Sequence, residues 1–426
     1  MKLVIVGCGQ GGGNIADEFA RMAYWLWENR KVRIITGDKE GSNIRKKDPD
    51  IIKGIFALNL GKGDMYGLEN IPQTEDHSIL LGAADNFRGR GAGKVNQDGA
   101  EQAKKESKKI VGTIREYGNV YSADAILVIA STAGGTGSGS VGVIVDMLKD
   151  EFKKPVYAML VLPFRSDYDD ADSVVNTATC LKRVLENSKA DAVFIIDNER
   201  FVRKSDSMKV NYLLINRRIV DSFMDILSVG EETGVNYIGE VLDANDLIRV
   251  LKGHTAIGVS FKDVPPRPKE KAGIFGRGNP RHISATQAQI ERARNAVDEA
   301  LGELSVGCDF THKDSGLALY DAGGVIGLFS GPAEEATEEI ISMMDSVLAE
   351  KVPDAKRRKG TYPGRSSNTI GVTVILTDIG EGALMDQVKW FYEEALKYKD
   401  KINERSAKRK DNWGSVKRVG EDLPSL

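Results

Sequence analysis

The sequence predicts an α/β protein. A parallel sheet carries phosphate-binding loops at its carboxyl ends, and a buried helix joins it to a smaller α+β domain. Three observations predict this. Lys2 to Val6 and Ala125 to Ala130 are short apolar runs, each followed by a glycine-rich turn and then by a helix with apolar periodicity. Tyr212 to Leu227 holds ten apolar residues in sixteen, broader than a one-sided stripe, which predicts a helix buried on most sides. From His254 onward the texture changes to short strands and amphipathic helices.

Composition sets the outer bounds. The 426 residues allow two or three domains. Hydrophobic content of 41% and charged content of 28% are ordinary for a soluble globular chain. A net charge of −3 argues against a polycation built for nucleic acid. Cys8, Cys180 and Cys308 are too widely spaced for a disulfide framework or a zinc site. MKLVIVG shows no basic leader, and no apolar run approaches the roughly 20 residues that span a bilayer. These features predict a cytoplasmic protein in a reducing compartment.

The first glycine turn is Gly7-Cys-Gly-Gln-Gly-Gly-Gly-Asn14, followed by a helix marked by Ile15, Phe19, Met22 and Leu26. Such a turn lets backbone N–H groups approach a phosphate, and the helix N-terminus adds partial positive charge. Residues 7–12 also satisfy the GxGxxG of a dinucleotide site, which wants an acid after the second strand. That strand reads as Val32 to Thr36, and Asp38 follows it. A second glycine loop at 134–139 weakens the dinucleotide reading, because such an enzyme has no standard use for it.

Phe87 to Ala100 is a third glycine loop, with Arg88 and Arg90, leading into a charged helix from Glu101 to Tyr117. A flexible surface loop is its alternative reading. The loop after Ala130 adds the hydroxyls of Thr136 and Ser138, and Val141, Val145 and Leu148 give the next helix its inward face. Gly-Lys pairs at 61–62 and 93–94 are followed by Gly63 and Val95, so the chain has no P-loop lysine.

AGGTGSGS, residues 133–140, resembles the signature loop of the tubulin/FtsZ superfamily, usually GGGTGSG or GGGTGTG, with Ala133 in place of the first glycine. The resemblance implies a tubulin/FtsZ-like fold and GTP or GDP with Mg²⁺ as cofactors. The phosphates would be held by Gly9, Gln10, Gly11, Gly12 and Gly13; by Gly91, Ala92 and Gly93; and by Ala133, Gly134, Gly135, Thr136, Gly137 and Ser138, while Asn14 would bind the nucleoside with Asn198, Tyr212 and Asn216. Gln10 replaces a family glycine, while Asn14 is retained. The 91–93 loop resembles GxGAGxxPE, with Asn96 near the missing proline. Asp38, in TGDKEGSN, matches the family's NTD segment and is implied to lie near the phosphates or the metal; a solvated turn acid is the alternative. No protein residue is assigned as a metal ligand, Mg²⁺ being held mainly by phosphates and water.

Pro163-Phe-Arg-Ser-Asp167 resembles PFxFEG, whose acid meets the ribose. Asp167 matches by spacing, with Asp169, Asp170 and Asp172 beside it; these are also suitable acids for the start of the next helix. Asp197-Asn198-Glu-Arg resembles PND(K/R)L and implies that Asn198 contacts base and ribose. Tyr212 and Asn216 form an i,i+4 pair at the tubulin spacing, an aromatic to stack on guanine and an amide to read its edge. Gly234 to Leu251 resembles the catalytic NxDxxD loop. Asp243 and Asp246 keep its two acids, while Val241 stands where Asn is expected. The same two acids also suit an N-cap and a capping box.

The resemblance implies a GTP-binding domain at 1–207, a central helix at 208–229, a second domain at 230–380 with the acid loop at 241–247, and a C-terminal helix and tail at 381–426. That second domain reads as a strand from Thr255 to Phe261, a loop rich in Pro, Gly, Arg and Lys at 263–282, and an amphipathic helix marked by Ile290, Ala293, Val297, Leu301 and Leu304. Strands at Leu317–Tyr320 and Val325–Phe329 joined by a glycine turn, a helix from Ala333 to Leu348, a basic loop at Lys356–Lys359 and a strand at Ile370–Thr377 complete it. Leu384, Val388, Phe391, Tyr392 and Ala395 start the last helix. Residues 397–418 carry nine Lys/Arg against three Asp/Glu, which suits an anionic membrane, an adaptor or a solvated helix end.

The archaeal CetZ group is the most similar branch. It implies a GTPase that assembles head to tail into filaments and serves cell shape, motility or division, with Asp246 and Asp243 of one subunit completing the hydrolytic site of the next. The partner is then a second copy of the chain. A nucleotide-binding structural protein with little hydrolysis is the alternative, and a nicotinamide enzyme is the distant third.

Overall fold

The computed structural model describes residues 1–30, 51–83, 87, 89–202, 207–228, 242–265, 285–311, 318–332, 334–363 and 368–420. Val32–Thr36, Asp38, Val241 and most of the 263–282 loop lie outside the described residues.

The first half alternates strand and helix: β1 (Leu3–Cys8), α1 (Gly9–Arg30), β2 (Ile52–Asn59), α2 (Lys62–Tyr66), β3 (Ser78–Leu80), α3 (Asn96–Lys105), α4 (Ser107–Tyr117), β4 (Ala125–Ser131), α5 (Thr136–Phe152), β5 (Val156–Leu162), α6 (Ala171–Leu181) and β6 (Ala192–Asp197). Then come α7 (Met208–Ser228), α8 (Ala244–Val250), β7 (Gly253–Asp263), α9 (Gln287–Gly302), β8 (Asp309–Thr311), β9 (Ala318–Tyr320), β10 (Gly324–Gly331), α10 (Glu338–Lys351), β11 (Lys356–Pro363), β12 (Thr369–Thr377) and α11 (Ala383–Gly420).

Ten strands form one sheet in the order β11-β10-β12-β7-β6-β5-β4-β1-β2-β3. From β3 to β7 every pairing is parallel; β12 runs antiparallel between β7 and β10. Strands buried on both faces read as continuous apolar runs, and all six residues of β1 are buried. Val4 and Val6 join a core with α5, α6 and α9; Leu3 and Ile5 join the opposite one with α1 and α7.

Several expectations change. α7 is one-sided: Ile215, Ile219, Val220 and Phe223 pack inward, whereas Tyr212 and Leu213 are 47% and 49% exposed. Its outer arginines face Glu18 (Arg217, 3.8 Å) and Glu303 (Arg218, 2.6 Å). The charged helix at 101–117 is two helices, broken at Glu106. The basic segment from Lys356 is an edge strand parallel to β10 rather than a loop. Charge on an exposed edge discourages pairing with other chains, and Arg357 lies 3.4 Å from Asp345. β9 pairs with β8 in a separate two-stranded sheet, so it forms no hairpin with β10.

Candidate functional site

β1 has β2 on one side and β4 on the other, so the strand order reverses there, the place where open α/β sheets bind ligands. Both strands end in glycine-led helices: α1 starts at Gly9 and α5 at Thr136, and Cys8 pairs with Ala130. Two helix N-termini therefore lie side by side, each with backbone N–H groups that have no partner within its own helix. No side chain caps α5.

The approach is close enough to demand glycine. A Cβ on Gly9, whose φ is +69°, would sit 2.7 Å from the Gly137 nitrogen. A Cβ on Gly139 would sit 1.8 Å from the Asn96 carbonyl oxygen. Asn176 of α6, itself buried, donates from Nδ2 to the carbonyls of Lys94 (2.8 Å) and Ala133 (3.1 Å) and so ties the second and third glycine loops together.

These elements enclose a cavity of about 440 Å³. Of the residues singled out in the sequence, Gly9, Gln10 and Gly11 line it, as do Gly91, Ala92 and Gly93, and Ala133 through Gly137. Asp167, Asn198 and Tyr212 line it as well. A Cβ on Gly134 or Gly93 would meet no protein atom within 4 Å, so open space lies beside both where they line the cavity. A row of backbone donors at two helix N-termini, with Arg90 and Lys94 at hand, suits a polyphosphate.

Other singled-out residues lie elsewhere. Gly12 faces β4, where a Cβ would sit 2.1 Å from the Ile129 carbonyl oxygen; it allows helix–strand packing. Gly13 faces Leu68. Asn14 and Asn216 are one helical turn beyond Gln10 and Tyr212, and neither lines the cavity. The Ser138 hydroxyl donates to the Gly134 carbonyl within the loop.

The four acids after Arg165 divide their work. Asp167 reaches the cavity. Asp170 is the N-cap of α6, accepting from the Asp172 N–H (3.2 Å) and the Ser173 hydroxyl (2.8 Å), and pairs with Lys94. Lys94 and Ser173 hold the Asp170 carboxyl below its usual range, and Asp170 holds the Lys94 ammonium above its own. The Tyr212 ring stands edge-on to Phe164 at 5.0 Å. Partial burial, then the charge of Asp167, raises its hydroxyl pKa.

Asn59 and Asp64 are a part of the site that the sequence reading missed. Asn59 Nδ2 donates to Asp64 Oδ2 at 3.2 Å, and its Oδ1 accepts the Gly61 N–H at 2.9 Å. The signal for them was the apolar run Ile51–Leu60 ending in a glycine-rich turn. Asp64 and Asp167 are the cavity's carboxylates among the described residues. Among the described residues no group of three or more His, Cys, Asp or Glu is placed to hold a metal ion. That donor set fits Mg²⁺ carried on phosphates and water with one or two carboxylates in support. Burial pushes the Cys8 thiol up to about 12, which disfavours the thiolate at its place in the wall.

Asp243 and Asp246 lie at the other end of the sheet. α8 leads into β7, whose first residue Gly253 pairs with Ala192, the first residue of β6. Strand ends at the cavity and strand starts at α8 are opposite edges. The two aspartates form a full capping box.

Residues 2–206 match the family described as Tubulin/FtsZ family, GTPase domain, and residues 205–396 match Tubulin-like CetZ, C-terminal domain. Tubulin-like protein CetZ1 of Haloferax volcanii is 26% identical over 412 residues, spanning 95% of this chain and 94% of its own length. Two solved structures share the fold. CetZ1 from Haloferax volcanii, a GDP-bound monomer, has TM-score 0.72 and 23% identity over 94% of this chain and 100% of its own. CetZ2 from the same organism, a GTPγS-bound protofilament, has TM-score 0.72 and 21% identity over 95% and 100%. Among the described residues no helix is long and apolar enough to cross a membrane.

Proposed function

Because the chain belongs to the tubulin/FtsZ family, we propose that it binds GTP in this cavity, assembles head to tail into cytoplasmic filaments and hydrolyses GTP to GDP and phosphate between subunits. The observation that carries the reading is the pair of glycine-led helix N-termini, Gly9 and Thr136, opening side by side onto one cavity. The solved relative bound to GTPγS is a protofilament, which supports the same reading.

In this reading GTP supplies the γ-phosphoryl group, and Mg²⁺, when bound, would offset its charge beside Asp64 and Asp167. The N–H groups of the α1 and α5 termini and the 91–93 loop hold the phosphates. Asn198, Asp167 and Tyr212 hold the nucleoside. Asp246 at the far edge orients the attacking water on the next subunit's phosphate, with Asp243 in support. Positioning and charge do most of the work in such a transfer, and contacts between opposite ends that do not close give open filaments. Residues 1–207, 208–229, 230–380 and 381–426 divide the labour as GTP-binding domain, central helix, second domain and C-terminal helix with a basic tail able to meet an anionic membrane or adaptor.

A second reading, nucleotide binding with little hydrolysis, is favoured by the capping box, which gives both aspartates a structural use. Phosphate release measured against protein concentration, alongside light scattering, separates the two. The filament GTPase shows turnover that rises with assembly and is lost in Asp246→Ala. Turnover that is independent of concentration and unchanged in that variant defeats the shared site.

A further inference from the structure

The C-terminal helix holds the nucleoside end of the cavity through a chain of contacts. Gln387 of α11 donates from Nε2 to Asp197 Oδ2 at 3.1 Å. Asp197 ends β6, and its other oxygen accepts the Glu199 N–H at 3.0 Å. Asp197 thus caps the short turn Asn198–Phe201, which carries Asn198 into the cavity. The Glu199 carboxylate in turn accepts the Arg165 N–H at 3.1 Å. Arg165 opens the turn Arg165–Asp167, which carries Asp167 into the same cavity.

The residue after that turn is gripped by α11 as well. Tyr168 stacks on Trp390 with centroids 4.8 Å apart and meets Phe391 edge-on at 5.3 Å. The Tyr398 hydroxyl donates to the Tyr168 carbonyl at 3.4 Å. Gln387, Trp390, Phe391 and Tyr398 recur at intervals of three, one and seven, which puts them along one side of the helix. The glycine loops at the phosphate end are tied to each other through Asn176 of α6, a helix that packs against α11 without, among the described residues, a Gln387 contact to those loops.

We infer that α11 is a positioning element for the nucleoside half of the site, with Gln387 acting through Asp197, so that docking of the C-terminal helix and nucleotide occupancy are coupled. The inference rests on the reading that the cavity takes a guanine nucleotide. Coupling of this kind is reciprocal: whatever α11 contributes to nucleotide affinity, the nucleotide returns to α11 docking.

The test uses the full chain and two ligands, GTP and inorganic tripolyphosphate, with dissociation constants measured by calorimetry. Gln387→Ala is expected to weaken GTP by roughly tenfold, the scale of one hydrogen bond to a charged group, and to leave tripolyphosphate within about twofold. Gln387→Glu sets a second carboxylate against Asp197 and is expected to weaken GTP further. Lys389→Ala, on the exposed side of the same helix, is expected to change neither. A measurement without substitutions accompanies this: amide exchange across residues 383–398 of the unaltered chain slows when GTP is added. Equal loss of both ligands in Gln387→Ala would mean general loosening and overturns the inference, as do unchanged GTP affinity or unchanged exchange. An unaltered chain that binds tripolyphosphate but no GTP overturns the proposed function and this inference together. One that binds GTP while Gln387→Ala binds it equally well overturns the coupling alone.

Discussion

Asp243 and Asp246 each accept the other's backbone N–H: Asp243 Oδ1 takes it from Asp246 at 2.9 Å, and Asp246 Oδ2 from Asp243 at 3.4 Å. The geometry is unequal, and the inequality separates the two roles. Asp243 makes the better cap; Asp246 has the longer bond and the freer carboxylate. Asp243→Ala is expected to cost about 1 kcal/mol of stability, the usual worth of an N-cap, seen in urea unfolding. Asp246→Asn keeps an acceptor for the cap and is expected to leave unfolding nearly unchanged while concentration-dependent phosphate release falls by tenfold or more. If phosphate release in Asp246→Asn matches the unaltered chain, the charge has no catalytic use.

Asn176 is the joint between two glycine loops of the cavity. It is buried, and its amide nitrogen serves both the Lys94 and Ala133 carbonyls. Removing it loses two hydrogen bonds to carbonyls of residues that are not buried, at about 0.5–1.5 kcal/mol each. Asn176→Ala is expected to weaken nucleotide binding at least tenfold, and Asn176→Asp, an acceptor facing acceptors, to do worse. Equilibrium dialysis with GDP checks the order; an Asp variant that binds better than Ala contradicts the assignment.

How much of this was legible from residues alone follows from where the information lies. The loop Ala133–Ser138 announced itself, because a run of small residues between a buried strand and a helix has few other uses. Which of its groups face the ligand did not. Ser138 and Gly12 differ from their neighbours only by position around a helix, and that depends on where the helix starts. Helices beginning at Gly9 and Thr136 turn Gly12 toward Ile129 and leave the Ser138 hydroxyl to bond the Gly134 carbonyl. Asn59 and Asp64 were missed because Lys53 and Gly54 interrupt the apolar run of β2, although all eight of its residues are buried. Edge strand β11 was missed because Lys and Arg at its exposed start read as loop; pairing with β10 decides it. The one-sidedness of α7 was hidden by apolar residues near its start, of which Tyr212 serves the cavity.

Gly134 and Gly139 provide a matched pair. Both belong to the signature loop, yet a Cβ on Gly134 meets nothing within 4 Å, and one on Gly139 would overlap the Asn96 carbonyl oxygen at 1.8 Å. Gly134→Ala is expected to keep its melting temperature and lose nucleotide affinity, since its methyl group enters the ligand's space. Gly139→Ala is expected to destabilise the fold by ~1–3 kcal/mol or more, the range for overpacking. Thermal melts with and without GDP read both effects. Equal melting losses in the two variants would show that the open space beside Gly134 is not the ligand's.

The Lys94–Asp170 pair sets a pH window for the third glycine loop. The Asp170 carboxyl lies below its usual range because Lys94 and Ser173 bond it. A depressed carboxyl contributes stability above its unfolded value of about 3.9 and loses it as pH falls through the folded one. The Lys94 ammonium, raised chiefly by Asp170, contributes below about 10.4 and loses it as pH climbs through its folded value. The pair is thus intact from mildly acid to mildly alkaline solution. Both side chains are more than a third exposed, so the effect is small and weakened by salt. The melting temperature of Asp170→Asn is expected to fall below that of the unaltered chain at neutral pH, and the gap is expected to narrow as pH drops from about 5 to about 3. Asp170→Asn keeps an oxygen for the α6 cap, so what narrows is the charge contribution. No gap at neutral pH assigns Asp170 to capping alone, and a gap that stays constant through that range shows that the carboxylate charge is not its source.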